Sequence, residues 1–254
     1  MLNLDEQVNN KCNIVYSITE SKIKQFYELI DFYSQKSKFI EIRIDYMLST
    51  GLSIEYLINL INIVKDNYPA NLFFATVRIK EDGGFLEINP SKYFNIIKNL
   101  YQNSKADFIE VKYSYYIQDK NIYDNLFNQE DINKALILSY YDNDKIFNDD
   151  NYELILDDML SYNRFQIISF NNYAHSSHNL FKLMQFGSYY KNKIKKSGKY
   201  AYFISSGKIG VLSRVWFEFT NSKFVFINTD DIITSGNYPI NYEKYSQLRK
   251  IIHK

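Results

Sequence analysis

Short apolar segments recur along the chain at intervals of roughly 25 to 35 residues, and more polar, helix-forming stretches separate them. Apolar runs of this length, rich in Ile, Val, Phe and Tyr, are typical of buried β-strands. The eight predicted strands cover residues 13–18, 39–45, 71–78, 107–112, 135–141, 165–170, 200–206 and 224–228. Strands that alternate with helices indicate repeated βα units and a parallel sheet covered on both faces.

Amphipathic patterns between these runs predict the helices, and several have recognisable starts. Ser53 and Pro90 each stand where a helix is predicted to begin, and Thr19 or Ser21 is the expected cap of the first one. The predicted helices cover residues 23–33, 54–65, 93–100, 122–127, 152–160, 177–190, 211–219 and 242–252.

Eight βα units in a chain of 254 residues match the element count of a closed (β/α)8 barrel. An open, doubly wound sheet is the competing architecture, and it commonly has a glycine-rich phosphate-binding turn after its first strand. The corresponding turn here, Ser17-Ile18-Thr19-Glu20, contains no glycine. No stretch rich in Pro, Gly or Ser divides the chain. We therefore predict an α/β protein with a single (β/α)8 TIM barrel domain over residues 1–254.

The second predicted strand has an unusual pattern, because apolar residues alternate with Glu41, Arg43 and Asp45. In a sheet covered on both faces, these three charges have to point into an enclosed space. Enclosed charges are either paired with one another or bound to a ligand. This strand alone leaves open both an internal salt-bridge ladder and a ligand site.

In a (β/α)8 barrel, functional residues gather at the carboxyl ends of the strands. The charged or polar residues predicted there are Ser17, Glu41, Arg43, Arg78, Asp82, Lys112, Tyr141, Gln166 and Arg214. Three of these are arginines, and guanidinium groups bind carboxylate or phosphate through two hydrogen bonds. The sequence therefore predicts an anionic ligand at the barrel mouth.

Composition narrows the partners and the compartment. The chain has 30 basic and 29 acidic residues, so its net charge of +1 gives no field that favours nucleic acid. The single cysteine, Cys12, excludes an internal disulfide and fits a reducing compartment. The polar N-terminal segment has no apolar core of a secretory signal, and no apolar run is long enough to span a membrane. We expect a soluble, cytoplasmic protein with no nucleic-acid or membrane partner.

No cofactor or metal site is predicted. His175 and His178 lie three residues apart, a spacing that could serve zinc, but no third ligand is nearby in the sequence. We interpret both histidines as part of a solvated helix start.

Several of the residues at the predicted mouth stand in motifs that resemble the type I 3-dehydroquinate dehydratase family. The motifs follow one another in the family's order, and the resemblance extends from about residue 14 to residue 252. They are Glu41-Ile42-Arg43-Ile44-Asp45, Thr76-Val77-Arg78, Asp82-Gly83-Gly84, Asp107-Phe108-Ile109-Glu110, Ser139-Tyr140-Tyr141-Asp142 and Gly210-Val211-Leu212-Ser213-Arg214. Their order and spacing together identify the chain as a divergent member of this family of shikimate-pathway lyases, which serve aromatic amino acid biosynthesis.

The resemblance implies a reaction in which a lysine of strand 6 forms an imine with the ketone of 3-dehydroquinate. A histidine of strand 5 moves the protons, and arginines hold the substrate. The positions that match substrate-binding residues of the family are Ser17, Glu41, Arg43, Arg78 and Arg214.

Other positions depart from the family pattern. Tyr141 stands where the family has its histidine, and the alignment places Gln166 where it has the imine-forming lysine. Asp82 replaces a glutamate. Asn237, which the resemblance implies to be a substrate contact, lies in a Ser-Gly-Asn loop that replaces Pro-Gly-Gln.

The two catalytic departures have chemical consequences. A glutamine amide cannot form a protonated imine, and a tyrosine is a poor base at neutral pH. Loss of a nucleophile and its acid–base partner costs on the order of 10⁴ to 10⁶ in turnover. We therefore predict a protein that binds a small cyclic carboxylate, such as 3-dehydroquinate or shikimate, and has lost the Schiff-base dehydration.

Two alternatives remain open. Lys112 has the same strand parity as Glu110 and could form the imine from strand 4 with Tyr141 beside it, or the alignment of strand 6 could be wrong. Either case would leave an active 3-dehydroquinate dehydratase or a related lyase. The competing interpretation of Lys112 is an ion pair with Glu110 or Asp82. In a third reading, the chain is a purely structural partner of an active paralogue. Because the resembled enzymes are commonly dimers, a homodimer is a further expectation.

Overall fold

The computed structural model describes residues 4–8, 12–128, 133–142, 149–229 and 240–252. At its centre are eight strands, β1 Asn13–Ile18, β2 Phe39–Arg43, β3 Leu72–Thr76, β4 Phe108–Lys112, β5 Ala135–Asp142, β6 Ile167–Tyr173, β7 Tyr200–Ser206 and β8 Phe224–Asn228. All pairings are parallel, and the spatial order is β7-β6-β5-β4-β3-β2-β1-β8. The Lys223 N–H donates to the Ala201 carbonyl at 2.9 Å where β7 and β8 meet, so the barrel is nearly closed. The predicted (β/α)8 fold is confirmed.

Helices cover the outside of the sheet. They are α1 Leu4–Gln7, α2 Ile23–Ser34, α3 Ile44–Ser49, α4 Ile54–Asn67, α5 Pro90–Asn103, α6 Tyr113–Gln118, α7 Lys120–Phe127, α8 Asp149–Ser161, α9 Ser177–Lys196, α10 Gly207–Val215, α11 Phe217–Thr220 and α12 Tyr242–Ile252. Among the described residues, none of these helices is both long enough and apolar enough to cross a lipid bilayer.

The predicted starts of two helices are confirmed and one is wrong. The Ser53 hydroxyl accepts the Tyr56 N–H and caps α4, and Pro90 begins α5 behind Asn89. Helix α2 starts after Lys22, not after Thr19 or Ser21. The Glu20 carboxylate accepts the Lys22 N–H at 2.7 Å, which satisfies that donor without a hydroxyl cap.

The inner face of the barrel is filled with aromatic rings toward the amino-terminal ends of the strands. Phe74 and Phe108 stack with 4.0 Å between ring centroids, and Phe39 and Phe224 pack edge-on beside them. Leu4 of α1 belongs to the same cluster and closes this end. The half of the barrel at the amino-terminal ends of the strands is therefore a packed core, and the polar side chains of the interior gather at the carboxyl ends.

Strand parity decides which residues face this interior. On β2, Phe39 packs in the inner cluster, whereas Ile40 and Ile42 pack outward against the helices. Since side chains alternate along a strand, Glu41 and Arg43 face inward with Phe39. The expectation that the charges of this strand point into an enclosed space is confirmed for these two residues.

Three strand ends differ from the prediction. Strand β2 ends at Arg43, so Asp45 lies in the first turn of α3. Strand β3 ends at Thr76, two residues before Arg78. Strand β6 begins at Ile167 and extends to Tyr173, which leaves Gln166 outside it. The apolar pattern marks where a strand passes through the core, but it does not mark where the hydrogen-bonded ladder stops.

Candidate functional site

The carboxylate of Glu41 is at the centre of the polar cluster. Ser17 of β1 donates to its Oε2 in a short hydrogen bond, and Thr76 of β3 donates to its Oε1 at 2.9 Å. The side chain is only 1% exposed. Because both flanking strands contribute a hydroxyl, Glu41 is held rigidly as a fixed negative charge inside the mouth.

Arg43 is bound to Asp45 through two hydrogen bonds, from Nε to Oδ1 at 2.8 Å and from Nη2 to Oδ2 at 2.7 Å. The sharp turn from β2 into α3 folds the carboxylate back onto the arginine of the preceding strand. Burial opposes the positive charge, but attraction to Asp45 outweighs it and raises the pKa of Arg43. One side of this guanidinium is thus occupied by an internal partner, as in the salt-bridge interpretation of β2.

Arg78 leaves the end of β3 and reaches into the mouth. Its Nη2 is 3.6 Å from Glu41 Oε1, and its guanidinium is 5.8 Å from the ring centre of Tyr141. Its buried Nε has no hydrogen-bond partner among the described residues. Burial acts against the charge, whereas Tyr141, Glu41 and Glu110 together raise the pKa of Arg78 well above its usual value. Arg78 therefore remains a cation.

Arg214 comes from the last turn of α10 and is 7% exposed. Helix α10 lies close against β7, since a Cβ at Gly210 would be 2.4 Å from the Ser205 carbonyl oxygen. The Nε and Nη1 atoms of Arg214 have no hydrogen-bond partner in the described part of the chain. Burial and repulsion from Arg78 lower its pKa to about 10, although Glu41 acts in the opposite direction. Within the part of the chain that the structure describes, Arg214 is a buried cation without a hydrogen-bonded counterion.

Glu110 and Tyr141 form a hydrogen-bonded pair next to Arg78. The Tyr141 hydroxyl donates to Glu110 Oε1 in a short hydrogen bond between β5 and β4. Burial raises the pKa of Glu110, although Arg78, Tyr141 and Ser139 stabilise its charged form. Burial also raises the pKa of Tyr141 well above its ordinary value, so the phenol is a proton donor at neutral pH.

Lys112 makes an ion pair with Asp82, with its Nζ 2.7 Å from Oδ1 and 2.8 Å from Oδ2. Asp82 reaches this position from a tight turn, in which a Cβ at Gly84 would be 2.1 Å from the Arg78 carbonyl oxygen. Burial raises the pKa of Asp82 to about 6 even though Lys112 acts to lower it. The pairing of Lys112 with Asp82, one of the two interpretations from sequence, is confirmed.

The structure does not bring Gln166 together with Tyr141. Gln166 precedes β6 at the amino-terminal end of the barrel, where its side chain accepts the Leu136 N–H and donates to the Arg164 carbonyl. Its placement at the mouth was wrong because Gln166 precedes β6, which begins at Ile167 and runs toward the mouth from there. The amide of Gln166 thus links backbone segments.

The inward residues of β6 are Ile167, Ser169 and Asn171. Ile167 belongs to the inner apolar cluster, and the two polar residues share its parity. Ser169 donates to Ser139 at 2.9 Å and accepts from the Asn171 amide at 2.8 Å. Strand β6 contains no lysine at any position, so no shift of its alignment places an amine there.

Several polar members of the site were missed by the sequence analysis. Thr76 holds Glu41, Ser139 and Ser169 join β5 to β6, and Tyr202 hydrogen-bonds to Ser169 from β7. Their signal was available, because each shares inward parity with an apolar residue of the inner cluster. Asn237, predicted to contact substrate, lies outside the described residues.

A small cavity opens among these side chains. The residues lining it are Ser17, Glu41, Arg43, Tyr46, Arg78, Ile204, Arg214, Phe226 and Asn228. Its free volume is about 30 Å³, which is space for one water molecule. Within the described ranges, no group of three or more His, Cys, Asp or Glu side chains could hold a metal ion.

The fold and this cluster define a class, a (β/α)8 barrel with a buried, arginine-rich site at the carboxyl ends of its strands. A sequence model of the family described as type I 3-dehydroquinase matches residues 14–251. The chain belongs to the type I 3-dehydroquinase family, which confirms the resemblance drawn from its motifs.

Curated relatives agree with this assignment. The 3-dehydroquinate dehydratase of Streptococcus pneumoniae strain P1031 is 22% identical over 239 residues, covering 94% of this chain and 98% of that protein. The enzyme of strain Hungary19A-6 is 24% identical over 213 residues, covering 84% and 86%.

Solved structures show the same fold. A type I 3-dehydroquinate dehydratase from Clostridium difficile, solved with covalent modified comenic acid, has a TM-score of 0.81 at 16% identity and covers 96% of this chain and 93% of its own. The 3-dehydroquinate dehydratase from Geobacillus kaustophilus has a TM-score of 0.79 at 13% identity, with coverage of 96% and 91%.

Proposed function

We propose that the barrel mouth binds the carboxylate of a small cyclic acid, such as 3-dehydroquinate or shikimate, and that the imine-based dehydration has been lost. The observation that carries this proposal is the pair Arg78 and Arg214. Both guanidinium groups line one cavity, and three of their buried nitrogens have no hydrogen-bond partner among the described residues. A carboxylate accepts hydrogen bonds from two guanidinium groups and neutralises the charge of Arg214, which has no hydrogen-bonded counterion in the described ranges.

The inner charges favour a monoanion. Arg43 is neutralised by Asp45 and Lys112 by Asp82. Arg78 and Arg214 then face Glu41, which lies close to Arg78. Arg214 has no hydrogen-bonded counterion among the described residues, and one carboxylate balances its charge.

The loss of imine chemistry is supported by the lysine positions. Strand β6 has no lysine, and Lys112 is held by both oxygens of Asp82. An amine that is engaged with both oxygens of a carboxylate in this way is not available as a nucleophile. This contact argues against the alternative in which Lys112 forms the imine from strand 4.

Binding requires that the mouth opens. A six-membered ring does not fit a free volume of about 30 Å³, so side chains around the cavity have to move apart. Tyr46 is a candidate, because its ring packs at a tilt against the half-exposed Phe85, with 4.6 Å between centroids, and lies 5.0 Å from the guanidinium of Arg43.

Thermal unfolding with and without 3-dehydroquinate, shikimate or quinate tests the proposal. A ligand that binds only the folded chain stabilises it by about 2.7 kcal/mol at one hundred times its dissociation constant, which raises the melting temperature by about 5 to 10 °C. We expect this shift for the wild type and not for Arg214→Met. Arg164→Met, at a surface arginine hydrogen-bonded to Asn128, is the matched control and should keep the shift. No shift with any of the three acids at millimolar concentration would favour a purely structural role.

A further inference from the structure

One buried acid of the site is used neither for ion pairing nor for the proposed ligand contacts. Glu110 is 4% exposed on the inner face of β4, and it forms no ion pair within the described residues. By contrast, Asp45 and Asp82 each have a bound cation, and Glu41 has two hydroxyl donors and a nearby arginine. The contacts of Glu110 are hydrogen bonds from Tyr141 and Ser139.

Tyr141 connects this acid to the mouth. Its hydroxyl donates to Glu110, its side chain is only partly buried, and its ring lies 5.8 Å from the Arg78 guanidinium. A ligand whose carboxylate is held by Arg78 therefore comes within reach of the phenol. A phenol has a single O–H donor, so it leaves the carboxylate free when it donates to a ligand oxygen instead.

We propose that Glu110 and Tyr141 form an acid–base pair that enolises the ring ketone of a cyclic acid, with no amine involved. The carboxylate of that acid is held by Arg78 and Arg214. This inference rests on the proposed binding function. It assigns to the chain an activity of its own, the interconversion of keto and enol forms of a cyclic keto acid.

The step balances without a co-reactant. The Tyr141 hydroxyl turns from Glu110 to the ketone oxygen, and the freed carboxylate removes a proton from the carbon next to the carbonyl. The C–H electron pair becomes the C=C bond of the enol while the ketone oxygen takes the proton of Tyr141. Glu110 then returns a proton to the phenolate through their hydrogen bond, which restores both groups.

The electrostatics of the pair suit these roles. Burial and the nearby Glu41 raise the pKa of Glu110, so its carboxylate is a stronger base than an exposed one. The pKa of Tyr141 is raised by burial, with Glu110, Tyr202 and Asp82 acting in the same direction against Arg78. Tyr141 thus keeps its proton until an acceptor develops charge, and Arg78 stabilises that charge.

Deuterium exchange tests the inference. The full chain is incubated with 3-dehydroquinate in D2O, and the ring protons next to the ketone are followed by NMR. We expect exchange at least about 100-fold faster than in buffer, and a loss of that acceleration in Glu110→Gln and in Tyr141→Phe. Glu55→Gln and Tyr189→Phe, at exposed positions outside the site, are matched controls that should exchange like the wild type. Tyr141→Phe keeps the ring and decides the matter if Glu110→Gln does not fold.

Each other outcome overturns the inference. Binding of 3-dehydroquinate without accelerated exchange would refute the acid–base pair and leave the binding function intact, whereas absence of binding would refute the proposed function itself. Acceleration that survives both substitutions would place the base elsewhere. Acceleration accompanied by an adduct after borohydride treatment would show that the exchange proceeds through an imine.

Discussion

Arg214 and Arg78 approach each other inside the barrel mouth closely enough for their charges to repel, and that repulsion adds to burial in lowering the pKa of Arg214 to about 10. Like charges are seldom buried together unless an anion joins them. Glu41 offsets part of the repulsion, but it is held by Ser17 and Thr76 and lies 3.6 Å from Arg78. The ligand-free protein therefore carries electrostatic strain that a bound carboxylate would relieve.

Replacement of Arg214 by methionine is expected to stabilise the protein in the absence of ligand. The substitution removes a buried charge that has no hydrogen-bonded counterion among the described residues, and it fills the space with an apolar chain of similar length. We expect the free energy of unfolding to rise by about 1 to 3 kcal/mol in urea titrations. Arg164→Met, at a partly exposed arginine outside the site, should change it by less than about 0.5 kcal/mol. A large loss of stability in Arg214→Met would mean that Arg214 has a structural partner.

Replacement of Asp45 by asparagine should have the opposite effect. It leaves Arg43 buried without its carboxylate and close to Arg78, at an expected cost of about 3 to 5 kcal/mol in the free energy of unfolding. The exposed pair Lys105–Asp66 offers a control, since Asp66→Asn should cost less than about 1 kcal/mol. Equal costs at the two sites would contradict the assignment of Arg43 and Asp45 as a buried ion pair.

Asp82 should make stability depend on pH between about 4 and 6. Its pKa is about 6 in the folded chain and near 3.8 unfolded, so the folded state binds more protons in this window and stability falls as the pH rises. The wild type and Asp82→Asn should be similar in stability near pH 4, and the variant should be more stable by about 2 to 3 kcal/mol at pH 7.5. Urea titrations at both pH values measure the difference. A variant less stable than the wild type at pH 7.5 would show that the attraction of Lys112 exceeds the cost of burying Asp82.

The aromatic rings packed at the amino-terminal ends of the strands should contribute strongly to the stability of the barrel. Phe74 stacks on Phe108 and contacts Phe39 and Phe224, so Phe74→Ala is expected to cost about 3 to 5 kcal/mol in the free energy of unfolding. Phe219 is 62% exposed on α11, and Phe219→Ala is the matched control, which should cost less than about 1 kcal/mol. Similar losses at both positions would contradict the account of a packed interior.

The sequence predicted the barrel because eight apolar runs at regular spacing are a signal that core packing imposes on every strand. It also placed Glu41 and Arg43 inward, since parity along β2 is a property of the strand alone. Partners were harder to predict. Asp45 binds Arg43 and Asp82 binds Lys112 because of the way the chain turns after a strand ends. The alternation of apolar and polar residues along a strand does not encode those turns.

The error at Gln166 has the same origin. An alignment carries residue identities across, but a shift of one residue in its register exchanges inward and outward positions. The inward residues of β6 are Ile167, Ser169 and Asn171. The role of Glu110 depends on its hydrogen bond from Tyr141, a contact between two strands that the sequence pattern does not encode.

In the proposed function, the mouth holds a cyclic acid whose ketone meets no free amine among the described residues. Intact mass measurement after incubation with 3-dehydroquinate and borohydride is the sharpest test of this proposal, because borohydride reduces any imine to a stable amine. We predict that the mass of the protein stays unchanged under conditions in which the thermal shift shows the ligand bound. A mass increase corresponding to one reduced ligand would contradict the account, and peptide mapping would then identify the lysine responsible.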